Sequence, residues 1–259
     1  MRGRRINQVE LRRPDLRVPF TEGLSARVAG RQVRQVARRA KYLLIHLSSG
    51  DTLLAHLGMS GSFAVAPKGR RGKGSAEPDA HDHVVLRMSS GTTITFNDPR
   101  RFGIVQLLSP ADLAAHPVLG RLGPEPLSDA FDGDALARAC RGRRVSLKAA
   151  LLDQRVVAGL GNIYTAEALH VAGLSPRRRA STIATRAGAP RESAHRLAAA
   201  IKQVLRAAVA RQVSGVYRSA RFRVYDREGG ACVRRGCPGV ILRTTQGGRS
   251  TYYCPVCQR

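Results

Sequence analysis

The chain has 259 residues, with 44 Lys+Arg against 18 Asp+Glu and a formal net charge of +26. A compact state with that imbalance repels itself, so the composition points to a polyanionic partner, and the length suits one large or two modest domains. No run of about 18 apolar residues occurs, no long helix pairs a basic face with an aromatic one, and the absence of Trp sets aside a broad base-stacking platform. The basic excess is spread along the whole chain, which favours an extended nucleic-acid-binding surface over a basic arm. The opening stretch, MRGRRINQVELRR, has no secretory apolar segment, so the expectation is a soluble, cytoplasmic protein with no membrane partner.

Residues 1–108 read as β. Tyr42 to Leu47 and Thr52 to Leu57 flank Ser-Ser-Gly-Asp, and Val84 to Met88 and Thr92 to Phe96 flank Ser-Ser-Gly, so two hairpins are predicted. Pro67 to Pro78 is rich in Gly, Lys and Arg and reads as a surface loop. Short strands at this spacing predict a sandwich. From 109 to 218 the pattern turns helical. Ser109-Pro110 is a helix start, Asp134 to Cys140 is short and helical, and Ser146 to Gln154 and Ile163 to Ala172 are two helices joined by RVVAGLGN. Arg191 to Arg211 places Leu197, Ile201, Val204, Leu205 and Ala208 on one face. Cys140 reads as a buried thiol. The expected fold is α+β: an antiparallel β-sandwich (1–108), a helical domain (109–218) and a metal-pinned β-hairpin (219–259).

Two stretches carry chemistry. Four residues separate Cys232 from Cys237, two separate Cys254 from Cys257, and sixteen lie between the pairs. Two short loops that each present two thiolates suit one structural Zn²⁺. Two disulfides in a secreted module are the alternative, against which stands the lack of any secretory feature upstream. Val240 to Leu242 and Ser250 to Tyr253 read as strands around Gln246-Gly247-Gly248, with Arg249 on the tip as a probe for an anion. In RVVAGLGN, Gly159 and Gly161 allow close backbone approach and Asn162 reads as a helix cap, together a phosphate site or a plain helix corner.

The sequence resembles the formamidopyrimidine-DNA glycosylase family, bacterial base-excision repair enzymes. The resemblance rests on RRAKYLL around Lys41, HLGMSGSF around Met59, HDHV at His81, NDPRRFG at Arg100, LGPEPL at Leu122, LLDQRVVAGLGNIYTAEAL around Asn162, and the cysteine hairpin, in family order. It implies a β-sandwich, a helix–two-turn–helix domain and a zinc finger. It also implies a monomer that binds damaged double-stranded DNA beside the bacterial nucleoid, flips out an oxidised purine such as formamidopyrimidine or 8-oxoguanine, and cleaves the abasic site by β,δ-elimination. Lys41 matches the lysine that contacts the lesion phosphate and assists elimination. Met59, Arg100 and Phe102 match the triad that fills the vacated space. His81, Arg100 and Arg143 match DNA contacts, Asn162 a phosphate-gripping asparagine, and Arg249 the finger arginine that clamps phosphates beside the lesion. For His81-Asp82-His83 a metal site is the competing reading.

Two departures qualify the expectation. Family members open Met-Pro-Glu, whose proline amine is the nucleophile and whose glutamate is the general acid, whereas the first proline here is Pro14, inside a strand-like segment. MRGRRI resembles the stretch after the family's first helix, so an upstream start is expected. A chain that truly began at Met1 would be a damaged-DNA binder without base excision. The stretch between Gln212 and Arg223 is shorter than the family loop that folds over 8-oxoguanine, which keeps open the endonuclease VIII-like branch for oxidised pyrimidines. A ribosome-associated module is the remaining alternative, and the void-filling residues would have no use there.

Overall fold

Period-two alternation builds the first part of the chain. In the computed structural model, which describes residues 1–67, 79–213 and 222–259, the protein forms two units, Met1–Gly120 and Arg121–Arg259. The first contains β1 (Ile6–Leu11), α1 (Leu24–Val28), β2 (Val33–Arg39), β3 (Tyr42–Leu47), β4 (Thr52–His56), β5 (Ser62–Ala66), β6 (Asp82–Met88), β7 (Thr93–Asn97), β8 (Ile104–Leu108) and α2 (Pro110–Ala114). These strands make two antiparallel four-stranded sheets, ordered β1-β6-β7-β5 and β2-β3-β4-β8. Alternate residues of each sheet meet in one core: Ile45 and Leu47, Leu53 and Ala55, and Val105 and Leu107 from one, and Val84, Leu86, Met88, Ile94 and Phe96 from the other. Leu24 and Val28 of α1 join that core.

Both predicted hairpins are present, shifted by a residue or two at their ends. Pro14 lies in a bend after β1 and not within a strand, because its ring fixes φ and removes the ladder donor. The loop predicted over Pro67 to Pro78 falls, beyond Pro67, outside the described residues, as does 214–221 of the stretch between Gln212 and Arg223.

The second unit contains α3 (Gly133–Cys140), α4 (Leu147–Leu152), α5 (Asn162–Ala172), α6 (Glu192–Val213), β9 (Leu242–Gln246) and β10 (Arg249–Tyr253). Asp132 caps α3 and Ser146 caps α4, each side chain accepting from the backbone N–H three residues on. Leu136, Leu147, Leu151, Leu160, Leu169, Leu197 and Ile201 form the helical core, which places the sequence-predicted face of α6 inward. Cys140 is buried in it, and burial pushes its thiol up to about 11. The β9–β10 hairpin packs on α5 through a smaller cluster of Ala166, Val224, Ile241, Tyr252 and Cys254. Its turn is Gly247-Gly248, both at positive φ, and Val240 and Ile241 precede the strand that was expected to contain them.

Candidate nucleic-acid interface and metal centre

In the first unit, Lys41 sits in a two-residue turn that joins β2 to β3, where Arg39 pairs with Tyr42. Ala40 takes φ 52°, a left-handed conformation that costs a non-glycine residue about 1–2 kcal/mol. Arg38 Nη1 donates to the Ala40 carbonyl at 2.8 Å and so holds the turn. Burial, then the positive charges of Lys41 and Arg17, push His56 below its ordinary range. The turn therefore presents an exposed cation in an already electropositive neighbourhood.

Met59, Arg100 and Phe102 come from two loops that Asp98 ties together. Asp98 is fully buried. Its Oδ1 accepts from Ser60 Oγ at 2.6 Å and its Oδ2 from Gly103 N–H at 2.7 Å. Ser60 Oγ accepts in turn from the Arg100 N–H at 3.2 Å. The loops approach so closely that a Cβ on Gly58 would stand 2.5 Å from the Phe102 carbonyl carbon. Arg100 stacks its guanidinium 4.7 Å from the Phe102 ring centre. Met59 is 72% exposed and Phe102 42%. An unbranched apolar chain, a ring and a stacked guanidinium thus stand out from a rigid base, which suits insertion into a gap between stacked apolar surfaces.

His81 is exposed in the turn before β6, its N–H donating to Asp79 Oδ1 at 2.7 Å. The two histidine rings are 6.5 Å apart, and His83 is buried with Nε2 donating to the Asp98 carbonyl at 2.9 Å. That bond occupies His83 structurally. Among the described residues the only group of three or more potential ligands is the four cysteines, so the metal alternative for His81-Asp82-His83 gains no third ligand.

In the second unit, Arg143 donates through Nη1 to Asp153 Oδ2 at 3.0 Å and through Nε to the Ala139 carbonyl at 2.7 Å. Arg155 forks onto the same carboxylate at 2.9 Å through both Nε and Nη2. Hydrogen bonds from Arg155 first, and Arg143 further down, hold Asp153 at about 2. One acid therefore aligns two guanidinium groups.

Asn162 is not the cap of α5. Gly161 occupies that position with extended backbone, and Asn162 is the first helical residue. Its side chain instead donates from Nδ2 to the Ser250 carbonyl at 3.0 Å, while its Oδ1 is buried without a partner. Lys148 of α4 converges on the same carbonyl at 2.8 Å and on Thr251 Oγ1 at 2.6 Å. Lys148 is only 1% exposed, and burial, then the charge of Arg249, lower it to about 8. Two helix starts and a hairpin tip are thus joined beside exposed Arg249, an arrangement of helical N–H groups and cations that favours an anion.

The four hairpin sulfurs all lie within 4.8 Å of one another. Cys232 and Cys257 are 3.7 Å apart and Cys237 and Cys254 3.6 Å, against about 3.8 Å for tetrahedral thiolates at Zn–S distances. All five cysteines are free. Burial, then the neighbouring Cys254 and Cys232, push Cys257 up to about 12, a crowding that a divalent cation reverses. A Cβ on Gly239 would collide with Cys254 Sγ, so this glycine leaves the sulfur its space. His170 Nε2 lies 3.3 Å from Cys232 Sγ, and Arg234 donates to the His170 and Val171 carbonyls behind it. The residues fit a metal ion.

Sequence reasoning passed over Asp98, Ser60, Lys148, Asp153 and Glu167. Glu167 is buried on α5 and accepts from the N–H groups of Arg223, Val224 and Tyr225 at 2.8 to 3.1 Å, anchoring the chain on its way to the cysteine hairpin. Most of these stand inside the motifs quoted above, and that position was the available signal. The partners of Ser60, Lys148 and Glu167 lie tens of residues away.

Family models match both units: the formamidopyrimidine-DNA glycosylase N-terminal domain over residues 1–105 and the H2TH domain of the same glycosylases over residues 122–219. The formamidopyrimidine-DNA glycosylase of Rhodopseudomonas palustris is 54% identical over 280 residues, which cover all of this chain and 94% of the relative. That of Azorhizobium caulinodans is 51% identical over 276 residues with the same coverage. Among solved structures, the Lactococcus lactis enzyme bound to DNA containing an AP site superposes with a TM-score of 0.85 at 29% identity, covering 99% of this chain and 93% of that one. The MutM (Fpg) protein of Thermus thermophilus superposes with a TM-score of 0.80 at 36% identity, covering 100% and 92%. The chain belongs to the formamidopyrimidine-DNA glycosylase family.

Proposed function

We propose that this protein is a base-excision repair enzyme, a DNA glycosylase that removes oxidised purines from damaged double-stranded DNA and cleaves the resulting abasic site by β,δ-elimination. The observation that carries this reading is the likeness, over the whole chain, to proteins named for that activity, one of them bound to DNA with an abasic site. A glycosidic bond in stacked duplex is out of reach, so the base must be turned out and its space filled. Met59, Arg100 and Phe102 fill it. Lys41 approaches the lesion phosphate, and His81, Arg143 and Asn162 hold the backbone around it. Arg249 clamps the flanking phosphates from a hairpin stiffened by one Zn²⁺ on Cys232, Cys237, Cys254 and Cys257. The metal is structural: four protein thiolates leave no open position for chemistry. The protein acts as a monomer, in the cytoplasm beside the nucleoid.

The family's amine nucleophile is a proline next to a glutamate, and residues 1–259 do not open with that pair. The experiment therefore compares this chain with one that carries the in-frame codons ahead of Met1. Both are incubated with duplex containing formamidopyrimidine or 8-oxoguanine, and covalent imines are trapped with borohydride. The expected result is base release and trapping by the extended protein, with lesion binding by both. If neither protein prefers lesion duplex to undamaged duplex, the reading fails.

A further inference from the structure

A cationic cavity lies in the helical unit, on residues that none of the roles above uses. It has a volume of about 670 Å³ and is lined by Arg141, Arg178, Arg186 and Arg191 together with Thr182 and Thr185. It forms where the end of α3, the chain after α5 and the start of α6 meet. The ion pairs of the described residues engage other arginines, so among the described residues no aspartate or glutamate pairs with these four. Neutral groups hold two of them. Arg178 donates from Nε to Thr182 Oγ1 at 2.8 Å and from Nη1 to the Arg259 carbonyl at 3.1 Å. Arg191 Nε donates to the Ala184 carbonyl at 3.2 Å. The turn from Thr185 to Ala189 closes against Arg141, since a Cβ on Gly188 would stand 3.1 Å from Arg141 Cδ. Burial first, then the charges of Arg196 and Arg191, hold Arg178 below its ordinary value.

Cations gathered by neutral acceptors await an anion, and guanidinium forks match phosphate oxygens two at a time. The lining offers no aromatic ring on which a base could stack. It therefore suits a row of backbone phosphates better than a nucleotide. We infer that this arginine cavity is a second DNA-backbone site, which holds the phosphates of a duplex segment other than the one gripped at Asn162 and Arg249. The inference rests on the DNA-binding function proposed above. Its effect would be to let a protein seated at one position engage a neighbouring segment through counterion release, without base readout.

The test starts from full-length protein saturated with a short abasic-analogue duplex, to which labelled undamaged duplex is added. A ternary complex is expected at low salt. In R141Q/R186Q/R191Q the ternary complex is lost, and the salt dependence of binding to long duplex falls in slope by about three, while the short abasic duplex binds as before. Three results overturn the inference: no ternary complex with the wild type, an equal ternary complex with the variant, or parallel loss of the abasic duplex, which would make the cavity part of the first site. Binding of inorganic pyrophosphate without any ternary complex would likewise overturn it, because the ligand would then be a free oligophosphate. Failure of the wild type to bind the abasic duplex at all counts against the proposed function itself.

Discussion

Two buried polar residues position the groups that face solvent. Asp98 has both carboxylate oxygens occupied, by Ser60 Oγ and by Gly103 N–H. In Asp98→Asn one acceptor becomes a donor that faces a donor, which costs about 1–3 kcal/mol. The expected outcome is a lowered denaturant midpoint together with weaker preference for abasic over undamaged duplex, as the Met59 and Phe102 loops separate. Lys148 makes a prediction about pH. Its folded value of about 8 lies below the ordinary 10.5, so between those values the unfolded chain binds a proton that the folded chain has released. Stability gained from this group therefore rises with pH across that window, and below about pH 8 the residue carries its full desolvation cost. Lys148→Met should remove that rise, seen as a wild-type-minus-variant difference in unfolding free energy that grows from pH 8 to 10.5. A difference that stays flat across the window would show that Lys148 does not titrate there.

At the level of elements, the metal proposed for the hairpin and the glycine beside Met59 each carry a prediction. Chelation, or Cys257→Ser, should loosen β9–β10, because a structural metal contributes directly to folding free energy. Arg249 then loses its mount. Duplex affinity should fall by at least tenfold, an estimate of about 1.4 kcal/mol for one charged clamp, while the sandwich keeps its circular dichroism. Gly58→Ala meets backbone at 2.5 Å at a residue with φ 65°, so it should destabilise by more than about 1 kcal/mol and displace Met59. How far these elements were legible in advance follows their chemistry. YLLIHL and TLLAHL announce a hairpin through apolar residues, and α6 shows its inward face at helical spacing. VRQVARR does not announce β2, since three arginines on an edge strand leave little apolar pattern, and SFAVA of β5 is mostly exposed. Asn162 looked like a cap because asparagine favours that role. Only the fold reveals that a hairpin carbonyl 88 residues away takes its amide. Lys148 and Asp98 escaped for the same reason: a lysine or aspartate in a sequence looks solvated until a distant partner buries it.

Across the whole molecule, a formal charge of +26 gives any duplex an attraction that salt weakens, with a slope set by the phosphates neutralised. Lesion recognition has a different origin. A missing base costs less to unstack and leaves the gap that the proposed function assigns to Met59 and Phe102, and neither term depends strongly on salt. The two contributions therefore separate in one titration: binding of an abasic-analogue duplex and of undamaged duplex of the same sequence, measured over a series of salt concentrations. The account predicts that both affinities fall along parallel slopes while the preference for the abasic duplex persists, and that Met59→Ala with Phe102→Ala erodes the preference without changing the slope. Equal affinity for the two duplexes at every salt concentration would contradict it.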